Sequence, residues 1–129
     1  MFELENRIVN LTPHPVTIIK ADGTVVNFPP TGNVARVFVD FVKRGSINGI
    51  DVVETVLGGV YDLPPPKRGT TYVVSRMVLN ACPRRWDLVT PHNLVRDYKG
   101  VVLGAKCFVR ELCFSPGYLT MSFSKYMTI

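Results

Sequence analysis

Ten prolines and ten glycines are spread so evenly along these 129 residues that no stretch is long enough, or capped well enough, for a stable long helix. Between them stand short runs rich in Val, Ile, Thr, Phe and Tyr, which suit a pleated, half-buried surface. The pattern predicts a mainly β fold, or α+β with one short helix, as a compact sandwich or partly open barrel. Residues 1–129 read as a single β-rich domain. There is neither an internal repeat nor a low-complexity linker.

Several elements can be read locally. Arg7-Ile-Val-Asn-Leu11 reads as a strand that Thr12-Pro-His-Pro15 cannot continue, because each proline lacks an N–H and restricts the residue before it. Val16–Lys20 and Thr24–Phe28 flank Ala21-Asp-Gly23, a strong hairpin signal. Val34–Val42 has a helix-like face in Val34, Phe38 and Phe41, yet its β-branched density favours a strand. Lys43-Arg-Gly45 then reads as a turn, with Asn48-Gly49 close behind it. Asp51–Leu57 is extended, and Gly58-Gly-Val-Tyr61 suits a bulge or a close backbone approach.

Asp62–Gly69, with its three consecutive prolines, is a stiff loop with polyproline II character. Thr70–Ser75 reads as a central strand. Arg76–Cys82 is where a short helix competes, stopped by Pro83. Asn93–Arg96 and Val101–Val109 flank Asp97-Tyr-Lys-Gly100, a four-residue hairpin loop. After a turn at Ser115-Pro-Gly117 the tail alternates, with Leu119, Met121, Phe123, Met127 and Ile129 on one side and polar residues and Tyr126 on the other. Residues 111–129 therefore read as an additional C-terminal strand or an interface extension.

With 47% apolar and 19% charged residues the chain has enough apolar surface to offset the entropy of ordering. Met1-Phe-Glu-Leu-Glu5 is not a basic leader, and no apolar run approaches the length of a membrane span. The expectation is a cytoplasmic protein with no membrane partner. Cys82, Cys107 and Cys113 are odd in number and match no zinc-knuckle spacing, so reduced thiols are expected.

The segments Asn10-Leu-Thr-Pro-His-Pro-Val16, Pro30-Thr-Gly-Asn-Val-Ala-Arg36, Leu63-Pro-Pro-Pro-Lys-Arg-Gly-Thr70, Tyr72-Val-Val-Ser75, Arg85-Trp-Asp-Leu-Val-Thr-Pro91, Val95-Arg-Asp97 and Gly100-Val-Val-Leu-Gly104 follow a recognisable order. In these the chain resembles a group of small uncharacterised proteins encoded by bacteriophages and bacteria, over roughly residues 9–109. The resemblance implies a viral or mobile-element origin, hence the host cytoplasm as location. It carries no activity. The tail from Arg110 to Ile129 is longer than that pattern expects.

Charge is unevenly spread: residues 1–65 carry a net −2, and residues 66–110 a net +7. An asymmetry of this size attracts a polyanion or an acidic protein unless folding interleaves the halves. Arg84-Arg85-Trp86 combines phosphate donors with a ring able to stack on a base, and Lys67, Arg68, Arg96 and Lys99 would extend that surface. The opposing reading has Arg85 paired with Asp87 or Asp97 and the other cations merely solvated.

No nucleotide-binding loop, nucleophile elbow or metalloprotease helix appears. His14 and His92 sit in matching Thr-Pro-His settings but 78 residues apart, and Cys82 with His92 is the nearest nucleophile–base pair. No catalytic residue, metal ligand or cofactor is expected. The leading expectation is a non-enzymatic protein-interaction module, virus-encoded and acting on a host factor or on another copy of itself. Leu119, Met121, Phe123, Tyr126 and Met127 are its candidate interface. A nucleic-acid-binding protein, a virion structural subunit and an unrecognised enzyme are the alternatives.

Overall fold

The computed structural model describes residues 6–111. Within them the chain forms β1 (Arg7–Asn10), β2 (Val16–Ile19), β3 (Val25–Phe28), β4 (Arg36–Ile47), β5 (Ile50–Tyr61), β6 (Thr70–Val73), α1 (Arg76–Ala81), β7 (Leu88–Arg96) and β8 (Val102–Val109). The fold is mainly β, as expected. Six strands make one mixed sheet in the order β1-β6-β7-β8-β2-β3, and β4 and β5 pair only with each other.

The local elements follow their sequence signals. Between β2 and β3 the Lys20 N–H donates to Thr24 O, Gly23 takes a positive φ of 88°, and Asp22 Oδ1 accepts from the Thr24 N–H. Hydrogen bonding from the Thr24 hydroxyl, and then from its N–H, holds the Asp22 carboxyl below its usual pKa. Between β7 and β8, Asp97 Oδ1 accepts from the N–H groups of Lys99 and Val101. Helix α1 starts where the Ser75 hydroxyl accepts from the Val78 N–H and ends at Cys82, just before Pro83.

Two readings of the chain change in the fold. Lys43-Arg-Gly45 is not a turn: β4 runs through it, accommodating one extra residue as a bulge between Lys43 and Ser46, and the chain reverses at Asn48-Gly49. Both turn residues have positive φ, 50° and 78°, which Asn and Gly tolerate and which matches the twist of the flanking strands. β7 also runs through Pro91 rather than starting after it. Its pairing with β6 extends only from Leu88 to Val89, so the missing Pro91 N–H costs no bond on that side.

The sheet curls until its edge strands β1 and β3 approach each other, giving a nearly closed barrel. Asn10, 2% exposed, joins them: its Nδ2 donates to Phe28 O at 2.9 Å and His14 O at 2.8 Å, while its Oδ1 accepts from the N–H and hydroxyl of Thr12. Inside the barrel lie Val16, Ile18, Val73, Val89 and Ala105, with Ile8, Phe28 and Phe108 packed against them. At Gly104 a Cβ would stand 2.9 Å from Thr17 O, so this glycine permits the close parallel approach of β8 to β2.

A second cluster covers the outer face: Leu11, Ala35, Tyr72, Val74, Val78, Leu79 and Leu88, sealed by α1 and by Val37 and Val60 at the root of the β4–β5 hairpin. Beyond that root, from Phe38 to Ile47 and back, the hairpin projects as an arm about 33 Å long at the usual rise per strand residue.

Candidate functional site

The arm is unusual because its apolar side chains face solvent on both sides. Residues directly opposite in an antiparallel pair share a face, so the register assigns the two faces. One carries Val39 opposite Leu57, Phe41 opposite Thr55, and Lys43 opposite Val53. The other carries Asp40 opposite Val56, Val42 opposite Glu54, and Ile47 opposite Ile50 at the tip, with Phe38 nearer the root.

Phe38 and Ile50 are 70% exposed, and Phe41, Ile47 and Val53 are all more than half exposed. Such an apolar concentration on a two-stranded element marks a contact surface, because a lone hairpin is marginally stable in water. One ion pair supports each face near the tip: Lys43 Nζ lies 3.1 Å from Asp51 Oδ1, and Arg44 Nε donates to Glu54 Oε2.

The arm's backbone is shaped by its glycines. Gly58 and Gly59 form a bulge opposite Phe38, where a Cβ on Gly58 would come within 3.1 Å of the Phe38 Cβ. Both expectations for this glycine pair, a bulge and a close approach, hold. The two outer edges differ. On β4, the Phe41 N–H points away from β5 and is taken by the Asp40 carboxylate at 2.9 Å. On β5, Val53, Thr55 and Leu57 stand opposite Lys43, Phe41 and Val39, so the alternation that turns the Phe41 N–H away from β5 turns their N–H and C=O groups outward too.

The basic residues singled out by sequence do not form one surface. Arg85 is engaged internally, its Nε and Nη2 donating to the two oxygens of buried Asp87 and its Nη2 also to Pro64 O at 2.9 Å. The Asp87 carboxylate raises the Arg85 pKa, with partial burial opposing it. Through the Pro64 contact the loop bearing Lys67 and Arg68 is tied beside the loop bearing Arg84 and Trp86; these four side chains are exposed, Trp86 by half. Arg96 and Lys99 lie at the far end of β7, roughly 26 Å away along the strand. There Arg96 Nη1 donates to Gly100 O, and Lys99 sits over the Tyr98 ring.

His92 and Cys107 are cross-strand partners, the Cys107 thiol facing His92 O at 3.7 Å, whereas His14 lies in the β1–β2 loop. Among the described residues no group of three His, Cys, Asp or Glu side chains is placed to hold a metal. Cys82 is partly buried, which pushes its thiol pKa up. An open groove of about 600 Å³ runs between β1 and the loops around Gly32 and Leu63, lined by Arg7, Asn33, Asp62 and Tyr72. Leu119, Met121, Phe123, Tyr126 and Met127 lie outside the described residues. No described helix is long and apolar enough to cross a membrane.

Sequence reading missed the arm as a site because its apolar residues looked like core. The available signal was their parity: Phe38 and Val42 alternate with Val39 and Phe41, so neither face of β4 is polar throughout. Comparison with protein-family models, with curated proteins and with solved structures gives no match.

Proposed function

We propose that this protein is a protein-interaction module, its contact element being the β4–β5 arm held out from the barrel. The observation that supports this is the exposure of Phe38, Phe41, Ile47, Ile50 and Val53 on a hairpin that only its root attaches to the body. Contiguous exposed apolar surface of this kind is offset in free energy when another protein covers it. The resemblance to phage-encoded proteins makes a host factor the class of partner, and the host cytoplasm the place of action.

The test is affinity capture from nuclease-treated host extract with the full chain and with Phe38→Lys and Phe41→Lys, one charge on each face. The expected result is a partner retained by the parent and lost with at least one variant, while both variants unfold at the parent's temperature. Equal capture by all three would remove the arm from the interaction.

Trp86 favours a second reading, binding of a nucleic acid through Lys67, Arg68, Arg84 and the half-exposed indole. It is the only tryptophan, so its fluorescence reports the site directly. Quenching by a single-stranded oligonucleotide that weakens with salt and with Arg84→Ala supports this reading. An unchanged spectrum removes it.

A further inference from the structure

We propose that the arm's partner includes a second copy of this chain, the two arms pairing antiparallel along their β5 edges about a two-fold axis at Thr55. This rests on the reading of the arm as a contact element and names one occupant for it.

The edge chemistry singles out β5. Natural sheets blunt free edges with Lys, Pro, an inward charge or a covering segment. β4 has such a device, the Asp40 carboxylate that occupies the Phe41 N–H. From Ile50 to Tyr61, β5 has no Lys and no Pro, and its Glu54 is already neutralised by Arg44. Its outward Val53, Thr55 and Leu57 therefore present paired donors and acceptors at every second residue.

The sequence of that edge suits itself in one register. With Thr55 opposite Thr55, each Val53 stands opposite Leu57 of the other copy, and the three outward positions exchange about six main-chain hydrogen bonds. Glu54 then faces Val56. Moving the axis to Glu54 would set the two glutamates directly opposite each other, which is destabilising. Moving it to Val56 would push Val53 against the Gly58-Gly59 bulge. Thr55 also lies midway along the arm, so each barrel sits beyond the other arm's tip. Two marginal hairpins become one four-stranded sheet, past the roughly three strands that independent stability needs.

The experiment is sedimentation of the purified full chain, parent against Thr55→Pro, across the micromolar range. Proline at this position removes an outward N–H and no bond within the arm. A parent dimer whose dissociation constant rises at least tenfold in Thr55→Pro is expected. The register is read from two cysteine variants oxidised beside the parent. Thr55→Cys should crosslink two copies, because narrow-pair Cα atoms stand about 5.5 Å apart, within disulfide reach. Val56→Cys should not crosslink, its counterpart lying diagonally about 8 Å away. A monomeric parent, a dimer indifferent to Thr55→Pro, or a Val56→Cys crosslink in place of Thr55→Cys overturns the proposal. A monomer that still captures a host protein through Phe38 and Phe41 overturns self-pairing alone and leaves the arm's contact role standing.

Discussion

Arg85 grips Asp87 with a two-pronged bond, Nε to Oδ1 and Nη2 to Oδ2, both at 2.8 Å, although only one residue separates them in the chain. The carboxylate is 1% exposed, at the start of β7, so the pair is the electrostatic anchor of the loop between α1 and β7. The same guanidinium reaches Pro64 O and thereby fixes the proline loop that precedes β6.

Removing one partner of such a pair leaves an uncompensated buried charge. Arg85→Ala is expected to lower unfolding free energy by about 3–5 kcal/mol, read from urea denaturation. Arg85→Lys should restore less than half of it, since an ammonium cannot reproduce the fork. A loss below about 1 kcal/mol would assign the pair to the ordinary exposed class.

Asn10 uses both ends of its amide to hold the barrel shut. Asn10→Ala removes the amide donor to the half-buried Phe28 carbonyl and one of the two donors to His14 O, an expected loss of about 1–3 kcal/mol. Amide exchange should quicken first in β1 and β3, the strands it joins. Uniform exchange across the sheet would show that the closure does not depend on this residue.

Gly104→Ala sets a methyl group 2.9 Å from Thr17 O, which is backbone and cannot rotate away. The expected cost is about 1–3 kcal/mol, with loosened pairing where Ile18 meets Ala105. Gly59→Ala is the control, since its added Cβ meets nothing within 4 Å.

Thiol labelling should separate two of the cysteines. Burial raises the Cys82 pKa, which reduces its reactive thiolate near neutral pH, whereas Cys107 is exposed on β8. Alkylation of the native protein at neutral pH, read by peptide mass spectrometry, should modify Cys107 well before Cys82. In denaturant the gap should close. Equal native rates would mean that the packing of Cys82 against the outer cluster opens freely.

How much was legible in the sequence depended on how far the decisive contact reached. The β2–β3 turn at Asp22-Gly23, the Asp97–Gly100 loop, the stop of the short helix before Pro83 and the Gly58-Gly59 bulge were readable, because neighbours in the chain supply their bonds and conformations. The Lys43–Gly45 segment misled, because a glycine that suits a turn also suits a bulge, and the partner strand decided between them. The candidate site was nearly illegible. Arg85 could be read as a phosphate donor or as a partner of Asp87 or Asp97, and only its geometry in the fold chose Asp87 and added Pro64.

By itself, then, the sequence determined a mainly β chain, most of its turns among the described residues, and where a short helix could compete, all consequences of local sterics and hydrogen bonding. Only the tertiary structure decided the parallel pairings of β1, β6 and β7, the closure at Asn10, and which apolar strands are buried. Val73 and Phe41 have the same apolar, strand-favouring character, yet Val73 is fully buried while Phe41 stands in solvent. Burial is set by segments distant in the chain, and a residue's own chemistry does not contain that information.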